Sequence, residues 1–270
     1  MKKSIVVSTS STKFSALAFK EDFEKSVKKV ADLGFDGAEL AIRNPRDLKV
    51  GNIIEIIKEN NLKVPAIGTG QAYGEEGLSF SDADETIRKM AVERIKDQII
   101  FASHFEAQVI IGLIRGKIEE GVNRSEAEEW TINCLRECTK FAKEYNIQLT
   151  LEPVNRYESN FINTLNQGIE FIKRVGASNL GLLADTFHMN IEEVSIYSSI
   201  IQAKDYITHV HFADSNRWAP GCGHLDFAKI VHTLKNIGYR GYVSAEIIPF
   251  PDSDSSARIT AETLNKLNIS

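Results

Sequence analysis

The sequence predicts an α/β fold, a closed (β/α)₈ barrel formed as a single domain over residues 1–270. Three observations predict it. Eight short apolar runs of strand type are spread along the chain, segments with helical periodicity lie between them, and glycines stand at the joints where helix gives way to strand.

In chain order, Ser4 to Ser8 is the first run, rich in β-branched residues and bounded by polar ones. Phe23, Val27, Val30 and Ala31 then recur at helical spacing, and Gly34 closes that segment where a left-handed cap is needed. Gly37–Ala41 and Val64–Gly68 are the second and third runs. Ile87, Ala91, Ile95 and Ile99 trace one helix face ahead of the fourth run, Gln108–Gly112. Trp130, Cys134, Phe141 and Tyr145 trace another ahead of the fifth, Gln148–Glu152. Gly176 precedes the sixth, Gly181–Asp185, and Ile207–Phe212 is the seventh. Phe227, Ile230, Val231 and Leu234, closed by Gly238, lead to the eighth, Tyr242–Glu246.

Strict βα alternation implies parallel strands joined by right-handed crossovers. At 270 residues and without a composition break, the chain suits a TIM barrel, which typically takes about 250 residues. An open doubly wound sheet is the alternative, disfavoured because the first turn, Ser8–Thr12, lacks the glycine-rich dinucleotide fingerprint. Gly68–Asp84 and Ala213–Leu225 read as irregular loops following strands, on the face where barrels carry their chemistry.

The bulk composition excludes several function classes. Apolar residues make up 43% of the chain, enough for a large core, yet no run is long enough to cross a bilayer. Met1, Lys2 and Lys3 precede an apolar run that ends too soon for a secretory leader, so a cytoplasmic protein is expected. The three cysteines lack metal spacing and are odd in number, which argues for a reducing compartment; Cys134 and Cys138 read as helix packing. A net charge of −5 offers nothing to nucleic acid or acidic membranes, so a small molecule is the expected partner.

Glu152, Asp185, His211 and Glu246 each end an apolar run, about one βα repeat apart. In a parallel barrel such ends converge. Taken singly, Glu152 reads either as a solvated strand terminus or as an inward group at the barrel mouth, and Asp185 as a helix N-cap or a pocket acid. Glu246 without a partner would be a costly buried acid. Together, two Glu, one Asp and one His form a mostly oxygen-donor set suited to Mn²⁺, Mg²⁺ or Co²⁺ rather than structural zinc. His209 shares the inward face with His211 and reads as a hydrogen-bonded interior residue. The segment Pro153–Glu158 is dense in polar groups, Asn155, Arg156 and Glu158 among them. Arg217, in the loop SNRWAPGCGH, reads as a substrate or oxyanion contact, with a solvated arginine as the alternative. His104 and His232 read as surface or packing residues.

The stretches LEPVNRYE, LLADTFHMN, HVHFADSNRWAPGCGH and YVSAEI resemble the D-tagatose 3-epimerase-like sugar epimerases of the xylose-isomerase-like superfamily. That resemblance implies one divalent ion, usually Mn²⁺, held by Glu152, Asp185, His211 and Glu246, with both glutamates as the acid/base pair. It implies that Glu158, His188 and Arg217 contact substrate oxygens, and that the protein is a homo-oligomer, dimer or tetramer. AIGTGQAYG, ADTFHMNIEEV and DSNRWAPGCGH resemble the branch acting on a keto-sugar acid, converting 5-keto-L-gluconate to D-tagaturonate. A substrate carboxylate then calls for a cation, for which Arg43, Arg115 and Lys117 are candidates. The expected reaction inverts the carbon beside the ketone through an enediolate, by proton exchange between two glutamates.

Three rivals share the barrel. A ketose–aldose isomerase of the hydroxypyruvate isomerase type uses the same metal-enediolate logic. A repair endonuclease with three zinc ions needs histidines at the third and fourth strand ends, where this chain has Gly68, Thr69, Gly70, Gly112 and Leu113. A non-catalytic sugar-binding barrel is the last.

Overall fold

Apolar runs too short and too uniformly buried to stand alone find their partners by closing a ring. In the computed structural model, which describes residues 1–20 and 22–269, the strands are β1 (Lys2–Ser8), β2 (Gly37–Ala41), β3 (Ala66–Gly68), β4 (Gln108–Ile111), β5 (Leu149–Leu151), β6 (Leu180–Asp185), β7 (Ile207–Phe212) and β8 (Tyr242–Ala245). They pair in parallel and in sequence order, and β1 closes on β8. Every expected strand is present. Glu152 and Glu246 fall one residue past the strand ends rather than on them, at the boundary where a ladder frays.

The outer layer comprises α1 (Phe23–Asp32), α2 (Val50–Glu59), α3 (Gly70–Glu76), α4 (Glu85–Ser103), α5 (Arg124–Glu144), α6 (Leu165–Val175), α7 (Thr186–Glu192), α8 (Ile196–Gln202), α9 (Phe227–Asn236) and α10 (Ser253–Lys266). Their starts are chemically marked. Asp22, Asp84, Asn123, Asp226 and Asp252 each accept a backbone N–H of the first turn, and Thr164 with Gln167 forms a reciprocal capping box on α6. Gly34, Gly176 and Gly238 are left-handed at helix ends, with φ of 75°, 77° and 81°. The segment Gly68–Asp84, expected to be irregular, contains α3: two glycines conceal a short helix that packs Ala72 into the core.

Helix faces such as Val27, Val30, Ile95, Ile99, Leu135, Ile230 and Leu234 pack on the outward strand residues in one continuous core. The barrel interior is filled differently, with small and polar groups among the apolar ones: Ser4, Glu39, Ala66, Ile110, Thr150, Leu183, His209 and Ser244 are all buried. Between β6 and β7 the register shifts, so that Ile207 faces Leu182 and His209 faces Leu183. His209 and His211, two residues apart on β7, share the inward face. Cys134 and Cys138 are buried in α5, and all three cysteines are free. Among the described residues no helix is long and apolar enough to cross a membrane.

Candidate active site

The C-terminal strand ends bring Glu152, Asp185, His211 and Glu246 together, with one donor atom from each lying within 4.8 Å of the others. Register does the positioning: Asp185 pairs with His211, and His211 with Ser244, two residues before Glu246. His211 Nδ1 lies 3.7 Å from both Glu152 Oε1 and Asp185 Oδ2. That is too far for a hydrogen bond. Glu152 Oε1, Asp185 Oδ2 and His211 Nδ1 are buried without any hydrogen-bond partner among the described residues. Three orphaned atoms facing one gap would cost about 1–3 kcal/mol each, and more where charged. A divalent cation in that gap satisfies all three at once, and the oxygen-rich donor set suits a hard ion. The fourth carboxylate, on Glu246, is 15% exposed and completes a set that could hold the ion.

Both sequence readings of Asp185 are met. Its Oδ1 caps α7, accepting from Phe187 N at 2.7 Å and His188 N at 3.2 Å, which leaves Oδ2 for the gap. Burial opposes its charge, but His188, His211 and Arg217 prevail and hold its pKa at about 2. Glu152 differs: burial and the neighbouring Glu246 carboxylate push its pKa well above the usual range. Burial also raises Glu246, although His211 and Arg217 pull the other way.

Arg217 is not solvated. Its Nη1 donates to Glu158 Oε1 at 2.9 Å and its Nη2 to Glu246 Oε2 at 3.0 Å, while its guanidinium lies 4.9 Å from the centre of the Phe187 ring. The backbone of Arg217 is left-handed, with φ of 62°, an uncommon state for a residue with a Cβ. The loop enforces it through Asp214, whose buried carboxylate accepts from the backbone N–H groups of Ser215, Gly221 and Leu225.

His188 is buried at the same wall. Its Nδ1 accepts from Asn155 Nδ2 at 2.8 Å and from Asn155 N at 3.2 Å, so its proton resides on Nε2. Burial lowers its pKa to about 4, leaving it neutral. Asn155 Nδ2 also donates to Glu158 Oε1 at 2.9 Å. Phe14, Thr69, Leu113 and Val154 border the remainder, and a Cβ at Gly112 would overlap the Glu152 carboxylate and displace it.

Other residues singled out by sequence lie elsewhere. Arg156 binds Glu192 outside the site at 2.9 Å. His104, His224 and His232 are exposed. Arg43 is paired with Asp47, Glu75 and Glu76. Arg115 is fully buried but donates to the carbonyls of Gly112, Phe161 and Ile162, and Lys117 faces Glu119 at 3.6 Å. None of these three cations borders the site, where Arg217 is the one guanidinium or ammonium among the described lining residues. Sequence reasoning passed over Glu39, which lies beneath the site and touches both His209 and His211. Its signal was a lone charge on the inward face of the otherwise apolar GAELA strand. Glu39, His209 and His211 are the second of only two groups of potential metal donors among the described residues.

The sequence profile of the xylose isomerase-like TIM barrel family matches residues 27–267. The chain belongs to that family. Among curated relatives, the L-ribulose 3-epimerase of Mesorhizobium japonicum is 30% identical over 255 residues, spanning 94% of this chain and 82% of that protein. The D-psicose 3-epimerase of Ruminiclostridium cellulolyticum is 32% identical over 233 residues, spanning 83% and 78%. A solved L-ribulose 3-epimerase structure aligns with a TM-score of 0.83 at 28% identity, covering 97% of this chain and 93% of that one. These relatives are sugar epimerases, and this xylose isomerase-like barrel is a carbohydrate isomerase of the same kind.

Proposed function

We propose that the protein is a divalent-metal-dependent epimerase that inverts the carbon beside the ketone of a keto-sugar or keto-sugar acid, with Glu152 and Glu246 exchanging the proton. The observation that carries this reading is the gap faced by Glu152 Oε1, Asp185 Oδ2 and His211 Nδ1, each without a hydrogen-bond partner among the described residues.

When bound there, a divalent ion supplies Lewis-acid polarisation of the ketone and its adjacent hydroxyl; Mn²⁺ is the ion we propose, and Mg²⁺ or Co²⁺ suits the same donors. The chain supplies the rest. Glu152 and Glu246 follow β5 and β8, three strands apart around the ring, so their carboxylates approach a substrate from different sides. One takes the carbon-bound proton and the other returns a proton to the opposite face. The electron pair left behind delocalises into the carbonyl as an enediolate, toward which His188 Nε2–H donates. Arg217 orients Glu158 and Glu246 together, and its own Nε–H, buried without a hydrogen-bond partner among the described residues, is free for a substrate oxygen.

Two substrates have support. The resemblance of ADTFHMNIEEV and DSNRWAPGCGH favours 5-keto-L-gluconate, giving D-tagaturonate, with Arg217 as the available cation. The named activities of the relatives favour 3-epimerisation of a neutral ketose. A cytoplasmic setting, supported by three free cysteines, and a homo-oligomeric state belong to the same proposal.

The test is incubation in D₂O with Mn²⁺ and a panel holding 5-keto-L-gluconate beside neutral ketoses, followed by NMR. Deuterium at one carbon beside the ketone, with the epimer as product, is expected, and the fastest-labelled member identifies the substrate class. An aldehyde as sole product would instead establish a ketose–aldose isomerase. Binding with no exchange in any member would establish a non-catalytic sugar-binding barrel.

A further inference from the structure

Glu39 lies wholly inside the barrel, the only charged residue of β2. Its carboxylate reaches past β1 and β8 to β7, placing Oε2 2.8 Å from His209 Nε2 and Oε1 2.9 Å from His211 Nε2. The two intervening strands carry Ser4 and Ser244, paired in register and fully buried, whose small side chains leave the interior open to it.

These three residues have the donor types of a second metal site. The distances argue against one. An ion held tetrahedrally by imidazole nitrogen and carboxylate oxygen at roughly 2.0–2.2 Å keeps its donors more than about 3 Å apart. Both nitrogen–oxygen pairs here are instead at hydrogen-bond separation. An ionised carboxylate only accepts, so each Nε2 donates its proton to Glu39. With Nε2 so engaged, Nδ1 is the nitrogen of His211 left to bind an ion: it faces Glu152 and Asp185 and has no hydrogen-bond partner among the described residues.

We propose that Glu39 is a positioning residue: its carboxylate fixes the Nε2–H tautomer and ring orientation of His211, with His209 as the second arm of the clamp, and so presents Nδ1 as a metal donor. Two arms matter because one hydrogen bond would let the carboxylate rotate, whereas binding both oxygens locks it. The neighbouring ring supports the clamp by packing, with His209 and His211 edge to face at 78° and 5.2 Å between centres. This inference rests on the metal-dependent reading above. Carboxylates placed behind a metal-binding histidine typically contribute 10–100-fold to metal affinity.

The experiment is calorimetric titration of chelator-treated wild type, Glu39→Gln and His209→Gln with Mn²⁺, together with ¹⁵N-histidine NMR of the Zn²⁺-loaded wild type. In Glu39→Gln the amide nitrogen must donate to one Nε2, which forces that ring's proton onto Nδ1. A 10–100-fold weaker Mn²⁺ affinity is expected, with kcat recovering at saturating Mn²⁺, and a smaller loss in His209→Gln. The Zn²⁺-loaded wild type should show Nε2–H protons on both His209 and His211, a readout that needs no variant to fold. Unchanged Mn²⁺ affinity in Glu39→Gln, or a His211 proton on Nδ1, overturns the positioning role while leaving the metal reading intact. Failure of the wild type to take up one equivalent of Mn²⁺ overturns the metal reading itself.

Discussion

Arg217 Nη2 lies 3.0 Å from Glu246 Oε2, whereas Glu152 Oε1, facing the same gap, is buried with no hydrogen-bond partner among the described residues. The two carboxylates assigned to proton exchange are therefore unequal before any substrate arrives. Glu152→Gln and Glu246→Gln should each lower kcat by about 10²–10⁴-fold in both directions, the usual range for loss of a general acid or base. Single-turnover kinetics and solvent deuterium exchange, measured from each epimer, check this. Retained epimerisation by both variants would refute the acid/base assignment.

Gly112 tests the steric side of the site. A Cβ added at this glycine would overlap the Glu152 carboxylate. Gly112→Ala should keep its circular dichroism spectrum while losing at least about tenfold in Mn²⁺ affinity, the scale of a misplaced donor. Unchanged affinity would mean that Glu152 can reach the ion by another rotamer.

Much of this was legible in the chain, for physical reasons. Strands covered on both faces must be apolar, so eight runs announced eight strands, and a charge ending such a run had few places to go but the mouth. Asp185, His211 and Glu152 were readable on that ground. Glu39 was not, because its partners lie on β7 and only ring closure brings them together. The α3 helix was hidden by Gly70 and Gly74, whose weak helical preference is overridden by tertiary contacts. Arg115 sat at the right strand end for a substrate cation but turns inward onto three carbonyls, a choice no local pattern reveals. Asp214 likewise shapes the Arg217 loop through backbone N–H groups that no sequence motif displays.

His188 predicts an acid sensitivity. Burial lowers its pKa from about 6.5 to about 4 in the folded protein, so between those values the unfolded chain binds more protons than the folded one. Its stabilising contribution is complete above pH 6.5 and is lost as pH falls toward 4, in total roughly 3 kcal/mol. Urea unfolding of wild type and His188→Gln at pH 7 and pH 4.5 checks it. The variant should lose less stability over that interval, and parallel losses would show that His188 is not the group responsible.

Removing the metal should reverse the sign for the carboxylates. In the metal-free protein Glu152 and Glu246 have raised pKa values, so above the usual carboxylate value of 4.5 the folded state holds protons that the unfolded chain has released. Metal-free stability should therefore decline as pH rises from 4.5 toward those folded values. An ion needs both groups ionised, so its stabilising effect should grow over the same window. At a free Mn²⁺ concentration of about 100 times Kd, binding contributes about 2.7 kcal/mol. For a chain of this size that corresponds to roughly 5 °C in Tm. Differential scanning calorimetry of chelator-treated and Mn²⁺-reloaded protein at pH 6 and pH 8 measures both trends. A Tm gain that is absent, or larger at pH 6 than at pH 8, would contradict an ion held by Glu152, Asp185, His211 and Glu246.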